Sequence, residues 1–213
     1  MTTTVSSKRA QTQDKLMEAA IALFAEKGVL AASVEEICER AGFTRGAFYS
    51  NFDSKDELLL AVLKRQSETI LLGAAEAIAS VPDKPVERQS VDDVIEQALL
   101  IFEATHPTDE QWLIASNEIR LHAIRNPAVR AALQSVNGSL DAVLVESIND
   151  VLTRQDLRLK VSPEQLVMLL GAYQETLAIH TLLAGTPIRQ APNAGHLATL
   201  VRALIEDDAA VAR

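Results

Sequence analysis

Apolar residues recur along the chain at intervals of three and four, the spacing of one face of an α-helix. Leu16, Ala19, Ala20, Leu23 and Phe24 trace such a stripe near the start, and Leu197, Leu200, Val201, Leu204 and Ile205 trace another near the end. No stretch alternates as a half-buried strand does. Between the stripes, polar residues mark the helix starts. Ser33-Val-Glu-Glu36 and Ser54-Lys-Asp-Glu57 fit the pattern in which a serine caps the first turn and a glutamate three residues on reaches back. Thr108-Asp-Glu-Gln111, Ser162-Pro-Glu-Gln165 and Asn126-Pro127 read the same way, the last two with proline in the first turn, where its missing N–H costs nothing. Joints fall at Gly28, Gly42, Val81 to Pro85, His106-Pro107 and Gly185 through Pro192. The pattern predicts an all-α fold of about nine helices, at residues 9–27, 34–41, 45–51, 55–80, 90–105, 109–125, 127–153, 163–184 and 194–209.

Composition sets the scale: 213 residues, 48% of them hydrophobic, suffice for one large domain or two small ones. A single cysteine, Cys38, cannot close an internal disulfide, and Met1 to Gln11 is too polar for a secretory signal. Unbroken apolar runs such as Leu58 to Leu63 and Leu166 to Tyr173 stop well short of the roughly 18 residues of a membrane span. A cytoplasmic protein without a membrane segment is expected. The net charge of −9 argues against nucleic-acid binding by the chain as a whole, because neutralising phosphates needs a basic face. Residues 1–65, however, carry nine basic and nine acidic side chains, so the remaining 148 residues hold the entire excess. A neutral head on an acidic body keeps that excess away from phosphates.

The segment Val34 to Phe52, VEEICERAGFTRGAFYSNF, reads as helix, turn, helix. Val34, Ile37 and Ala41 share one face, Gly42 suits a sharp left-handed helix end, and Thr44 is a good cap for the next helix, with Phe43 as anchor. Phe48 and Phe52, four apart, face inward. Arg45, Gly46, Tyr49 and Ser50 are left outside, where Arg45 can reach a guanine edge or a phosphate and the small residues permit close approach. Helix starts at Ser33 and Ser54, the latter beside Lys55, suit phosphates.

From Gly28 to Val62 the sequence GVLAASVEEICERAGFTRGAFYSNFDSKDELLLAV resembles the DNA-binding domain of the TetR family of transcriptional regulators. The order of Leu23, Phe24, Gly28, Ser33, Ile37, Ala41-Gly42, Phe48-Tyr49, Phe52, Lys55 and Leu58 carries the likeness. The resemblance implies a three-helix head, residues 1–53, and a helical body, residues 54–213, that binds a small-molecule inducer and dimerises through its last two helices. Contacts with operator DNA then fall on Thr44, Arg45, Gly46, Ala47, Tyr49, Ser50 and Asn51, with Ser33 and Lys55 on phosphates. The expected protein is a homodimeric repressor that leaves a palindromic operator when its inducer binds.

In the body, residues 163–184 show two apolar faces, one for the core and one for a partner. The expected dimer interface comprises Gly171, Ala178, Leu182, Leu197, Leu200, Val201 and Leu204. Candidates for the inducer site are Phe102, Trp112, Asn117, His122, Tyr173, Gln174 and His180, polar or aromatic residues at mainly apolar positions. Glu118 and His122 at i, i+4 suggest a helix-surface ion pair, since no second ligand pair accompanies them. No phosphate loop, metal spacing or nucleophile elbow is found, so no catalytic residue, metal or cofactor is expected.

Overall fold

The structure, a computed structural model, describes residues 2–80, 90–104, 109–187 and 194–206. Among these residues it is all-α, with α1 (Thr2–Ala31), α2 (Val34–Ala41), α3 (Arg45–Tyr49), α4 (Lys55–Ser80), α5 (Val91–Ala104), α6 (Glu110–Arg125), α7 (Pro127–Gln155), α8 (Pro163–Leu183) and α9 (Ala194–Leu204). The expected joints at 81–85 and 106–107, and the end of the 185–192 joint, lie outside the described residues.

Short-range chemistry explains most boundaries. Gly28 breaks α1 with φ +83° and ψ 161°, so regular helix stops where the sequence places its end and one further turn follows. The positive φ favours glycine there, whereas the carboxylate of Glu118, 2.7 Å from where a Cβ would stand, is the end of a flexible side chain that can move aside. Ser33 Oγ accepts from the Glu36 N–H (3.3 Å), and Glu36 Oε2 accepts from the Ser33 N–H (3.0 Å), a complete capping box. Lys27 pairs with the same carboxylate; this ion pair, the first cause, and the Ser33 donors hold Glu36 down to a pKa of about 2. At α4 the box is altered: Ser54 Oγ accepts from the Glu57 N–H, but the Glu57 carboxylate takes the N–H of Asp53. Asp109 caps α6, its Oδ1 accepting from the Trp112 N–H at 2.7 Å, and Thr108 lies outside the described residues. Asn126 Oδ1 accepts from the Ala128 and Val129 N–H groups to open α7, and Ser162 with Gln165 forms a full box at α8.

The last helix is shorter than its apolar stripe. After Leu204 the chain leaves the helix: the Lys160 N–H donates to Leu204 O (2.8 Å), the Glu206 N–H donates to Arg158 O (2.9 Å), and Leu159 and Ile205 form one antiparallel bridge. Pairing with a segment some 45 residues earlier replaces the helical bonds, and periodicity alone does not reveal it.

By packing, the chain divides into two compact units, Met1–Glu68 with Asp109–Asn137, and Thr69–Thr108 with Gly138–Arg213. In the first, α1 packs along α6 and against α2. Its core gathers Leu16, Phe24, Ile37, Phe48, Leu58, Leu59, Ile119 and Val129, all at 0% exposure, with Trp112 packed alongside. In the second, α5 packs on α9, and Ile95, Leu99, Phe102, Leu144, Leu166, Leu170 and Leu197 form a separate core.

Helix α8 is apolar on two faces. It contains no unbroken apolar run of spanning length, yet averaged over 18 residues its mean hydropathy reaches 1.3, long and apolar enough by length and composition alone to cross a membrane. The reason is the two-faced pattern: Leu166, Val167 and Leu170 are buried in the second core, while Met168, Leu169, Ile179 and Leu183 are exposed.

Candidate nucleic-acid interface

The turn between α2 and α3 is set by two residues. Gly42 adopts φ +73°, and the Phe43 N–H behind it donates to Cys38 O at 2.8 Å, closing α2. Thr44, extended at φ −86° and ψ 161°, then caps α3 by accepting from the Ala47 N–H. Phe48 at 0% and Phe52 at 4% exposure fix α3 to the first core, their rings 5.9 Å apart. Thr44, Arg45, Gly46, Tyr49 and Ser50 are exposed, and Ala47 and Asn51 half-buried. The structure therefore brings seven of the nine expected contact residues together on and beside one short helix, five of them facing solvent.

Within that face, Arg45 Nη1 lies 2.7 Å from Glu35 Oε1. The guanidinium carbon sits 5.8 Å from the centre of the Tyr49 ring, which meets Phe48 edge-on at 5.3 Å. Asn51 turns back, its Nδ2 donating to Ala47 O (2.8 Å), and Ser50 Oγ donates to the same carbonyl. Glu35 is a residue that the sequence reading missed. Its partner, ten positions away across the turn, is visible only once the crossing of the two helices is known.

Ser33 and Lys55 are placed differently. The Ser33 N–H and hydroxyl both donate to the Glu36 carboxylate, so an anion is already present at that helix start. The Lys55 ammonium donates to Val29 O and Ala32 O, both at 2.7 Å, and at 3.4 Å to Leu30 O. It caps the carbonyls at the end of α1. Burial there pushes its pKa below the ordinary lysine value.

The residues proposed for an inducer site are divided between the two units. Trp112, Asn117 and His122 belong to the first unit and Phe102, Tyr173, Gln174 and His180 to the second. Asn117 Nδ2 donates to Leu113 O within its own helix, and His122 Nε2 faces Asp56 Oδ1 at 3.7 Å, so its partner is Asp56 and not Glu118. Tyr173 Oη and His196 Nδ1 are hydrogen-bonded at 2.9 Å, and His180 is exposed. Gln174 is buried, and its Oε1 has no partner among the described residues. Phe102 alone of the seven lines a cavity of about 50 Å³ inside the second unit, with Leu99, Leu144, Ser147, Leu170 and Val201 among its other walls. The lining is almost wholly hydrocarbon, and the Ser147 hydroxyl already donates to Val143 O. A search for polar and aromatic side chains passes over such a site.

Two residues expected at the dimer interface lie elsewhere: Leu197 at 0% and Val201 at 8% exposure belong to the second unit's own core. Gly171, Ala178, Leu182, Leu200 and Leu204 are half-buried.

The model of bacterial regulatory proteins of the tetR family matches residues 16–62, the stretch from α1 through the turn into α4. The chain is 34% identical over 111 residues to the HTH-type transcriptional activator FasR of Mycolicibacterium smegmatis, covering 48% of this chain and 51% of that one. It is 27% identical over 139 residues to the HTH-type transcriptional regulator UidR of Escherichia coli, covering 65% of each. It thus spans half to two-thirds of the length of these relatives. The fold matches that of Salmonella enterica GusR, with a TM-score of 0.67 at 23% identity over 91% of this chain and 94% of that one. Over residues 16–62 the chain is thus similar to the bacterial regulatory proteins of the tetR family, and its fold is that of solved TetR-family structures.

Proposed function

We propose that the protein is a homodimeric regulator whose head, residues 1–53, inserts α3 into the major groove of a palindromic operator, and whose body, residues 54–213, carries the inducer site and the dimer contacts. The observation that carries this reading is the outward face of Thr44, Arg45, Gly46, Tyr49 and Ser50 on a helix whose aromatic anchors are fully buried. Such a helix offers donors and small residues to base edges and phosphates without any rearrangement of the core. Ala47 and Asn51 border it. Ser33, within the head, and Lys55, just after it, donate to groups of the head and support it as architecture.

For the body, the exposed apolar residues Met168, Leu169, Ile179 and Leu183 on α8 favour a second copy of the chain as partner, since twofold pairing of heads suits successive major grooves. Above Gly171 no atom lies within 4 Å of a Cβ position, leaving room for close approach. The apolar cavity of the second unit is the proposed inducer site, and the cytoplasm, with its DNA, the proposed location. Repression is the proposed direction, released by inducer; a relative named an activator makes activation the alternative.

The test is selection of duplexes from genomic fragments by the purified protein, followed by a gel shift and a promoter-reporter assay. Recovery of a palindrome bound by the parent and lost in Tyr49→Ala supports the reading. No enrichment of any duplex overturns it. Reporter output that rises on deletion of the protein marks repression, and output that falls marks activation.

A further inference from the structure

We propose that Glu35 is a specificity-determining residue: it holds Arg45 back from the phosphates and presents the guanidinium to a base edge. This rests on the reading of α3 as the groove-entering helix. Glu35 sits in the first turn of α2 and Arg45 opens α3; their 2.7 Å ion pair spans the turn, with side-chain exposures of 55% and 60%. Held by the carboxylate on one side and lying 5.8 Å from the centre of the Tyr49 ring, the guanidinium is fixed in direction. The carboxylate engages Nη1 and the Tyr49 side chain is hydrogen-bonded to the guanidinium as well, so the five-donor fork is steered from two sides and keeps further N–H groups for the O6 and N7 of a guanine.

The charge balance points the same way. A free arginine on this face gains affinity for any duplex by neutralising one phosphate. Paired with Glu35 it carries no net charge, and a phosphate approaching the pair meets a carboxylate as well. The four cations from residue 27 to 55 are all committed, Lys27 to Glu36, Arg40 to Glu26, Arg45 to Glu35, and Lys55 to carbonyls of α1. Lys8, Arg9 and Lys15, exposed on α1, have no ion pair among the described residues. Sequence-blind attraction is therefore moved away from the turn, and what the turn contributes is discrimination. Glu35 is not needed for folding: the capping box uses Glu36, and an exposed ion pair adds little to stability.

The test compares the full chain with Glu35→Gln, Glu35→Asp, Arg45→Ala and the Glu35→Gln/Arg45→Ala double variant. Each is titrated, over a range of salt, with a duplex selected by the parent from a random library and with a duplex of arbitrary sequence. Glu35→Gln is expected to bind the arbitrary duplex about 5- to 10-fold more tightly near 0.1 M salt and to steepen the log–log salt slope by about 0.9, as one more phosphate is neutralised. The preference for the selected duplex falls by a similar factor, Glu35→Asp largely restores it, and adding Arg45→Ala to Glu35→Gln abolishes the gain in arbitrary binding. A Glu35→Gln variant that keeps the parent's slope and preference, or weakens equally on both duplexes, overturns the proposal. Failure of the parent to select any duplex overturns the DNA-binding reading instead.

Discussion

The two units bury their apolar residues in different ways. Among the described residues, of the eleven large side chains that are essentially inaccessible, ten belong to the first unit, and Leu197 is the second unit's one example. A core so filled has few ways to deform, because each displaced side chain meets another. The second unit instead surrounds a cavity of about 50 Å³ with Leu, Ile, Val and Phe. One region fixes a shape to be presented, and the other leaves space that an apolar guest can enlarge and fill. The contrast teaches where the sequence tolerates change: rigidity beneath the exposed face of α3, slack around the cavity proposed as an inducer site.

The comparison breaks most visibly at its anchors. Phe48→Ala is expected to cost about 3–5 kcal/mol in thermal melting and to abolish duplex binding, whereas Phe102→Ala, at a wall that already borders empty space, should cost less. Enlarging alanines sharpens the contrast through opposite signs. Ala20→Leu overpacks a fully buried position and should destabilise by about 1–3 kcal/mol. Ala98→Leu fills the cavity, so it should stabilise by about 0.5–2 kcal/mol and block the response to any inducer. Two losses would refute the slack assigned to the second unit. Lys55→Met removes a donor to the end of α1 and should cost about 1–2 kcal/mol while leaving the salt slope of DNA binding unchanged. A slope shallower by about 0.9 would place Lys55 on a phosphate.

The smallest expected effect is one of pH. Glu36 is held at about 2, below its ordinary 4.5, so its contribution is complete above 4.5 and is lost as pH falls towards 2. Glu36→Gln should therefore flatten the decline of melting temperature in that window and leave the second unit's behaviour untouched.

What was legible in the sequence was what neighbours in the chain decide. Gly42, Thr44 and the Ser33–Glu36 box act over three or four residues, and the turn and helix starts stand where their letters place them. The break in α1 at Gly28 is equally local. Contacts that depend on how helices cross were not legible: Lys55 reaches carbonyls 23 to 26 residues away, Arg45 finds Glu35 across the turn, and residues 158–160 draw the chain out of α9. The stripe on α9 was real, but periodicity gives a face without saying what covers it, so Leu197 and Val201 were assigned to a partner instead of their own core. The cavity escaped because aliphatic walls look like any other interior.

Trp112 is the chain's single tryptophan, and it lies against the first unit's core; of the two tyrosines, Tyr49 is on α3 and Tyr173 on α8. Intrinsic indole emission therefore watches one region alone, whereas far-ultraviolet ellipticity sums over every helix. Recorded together on heating, the two signals coincide if the regions melt as one and separate if the slack half loosens first, with no label needed to tell them apart.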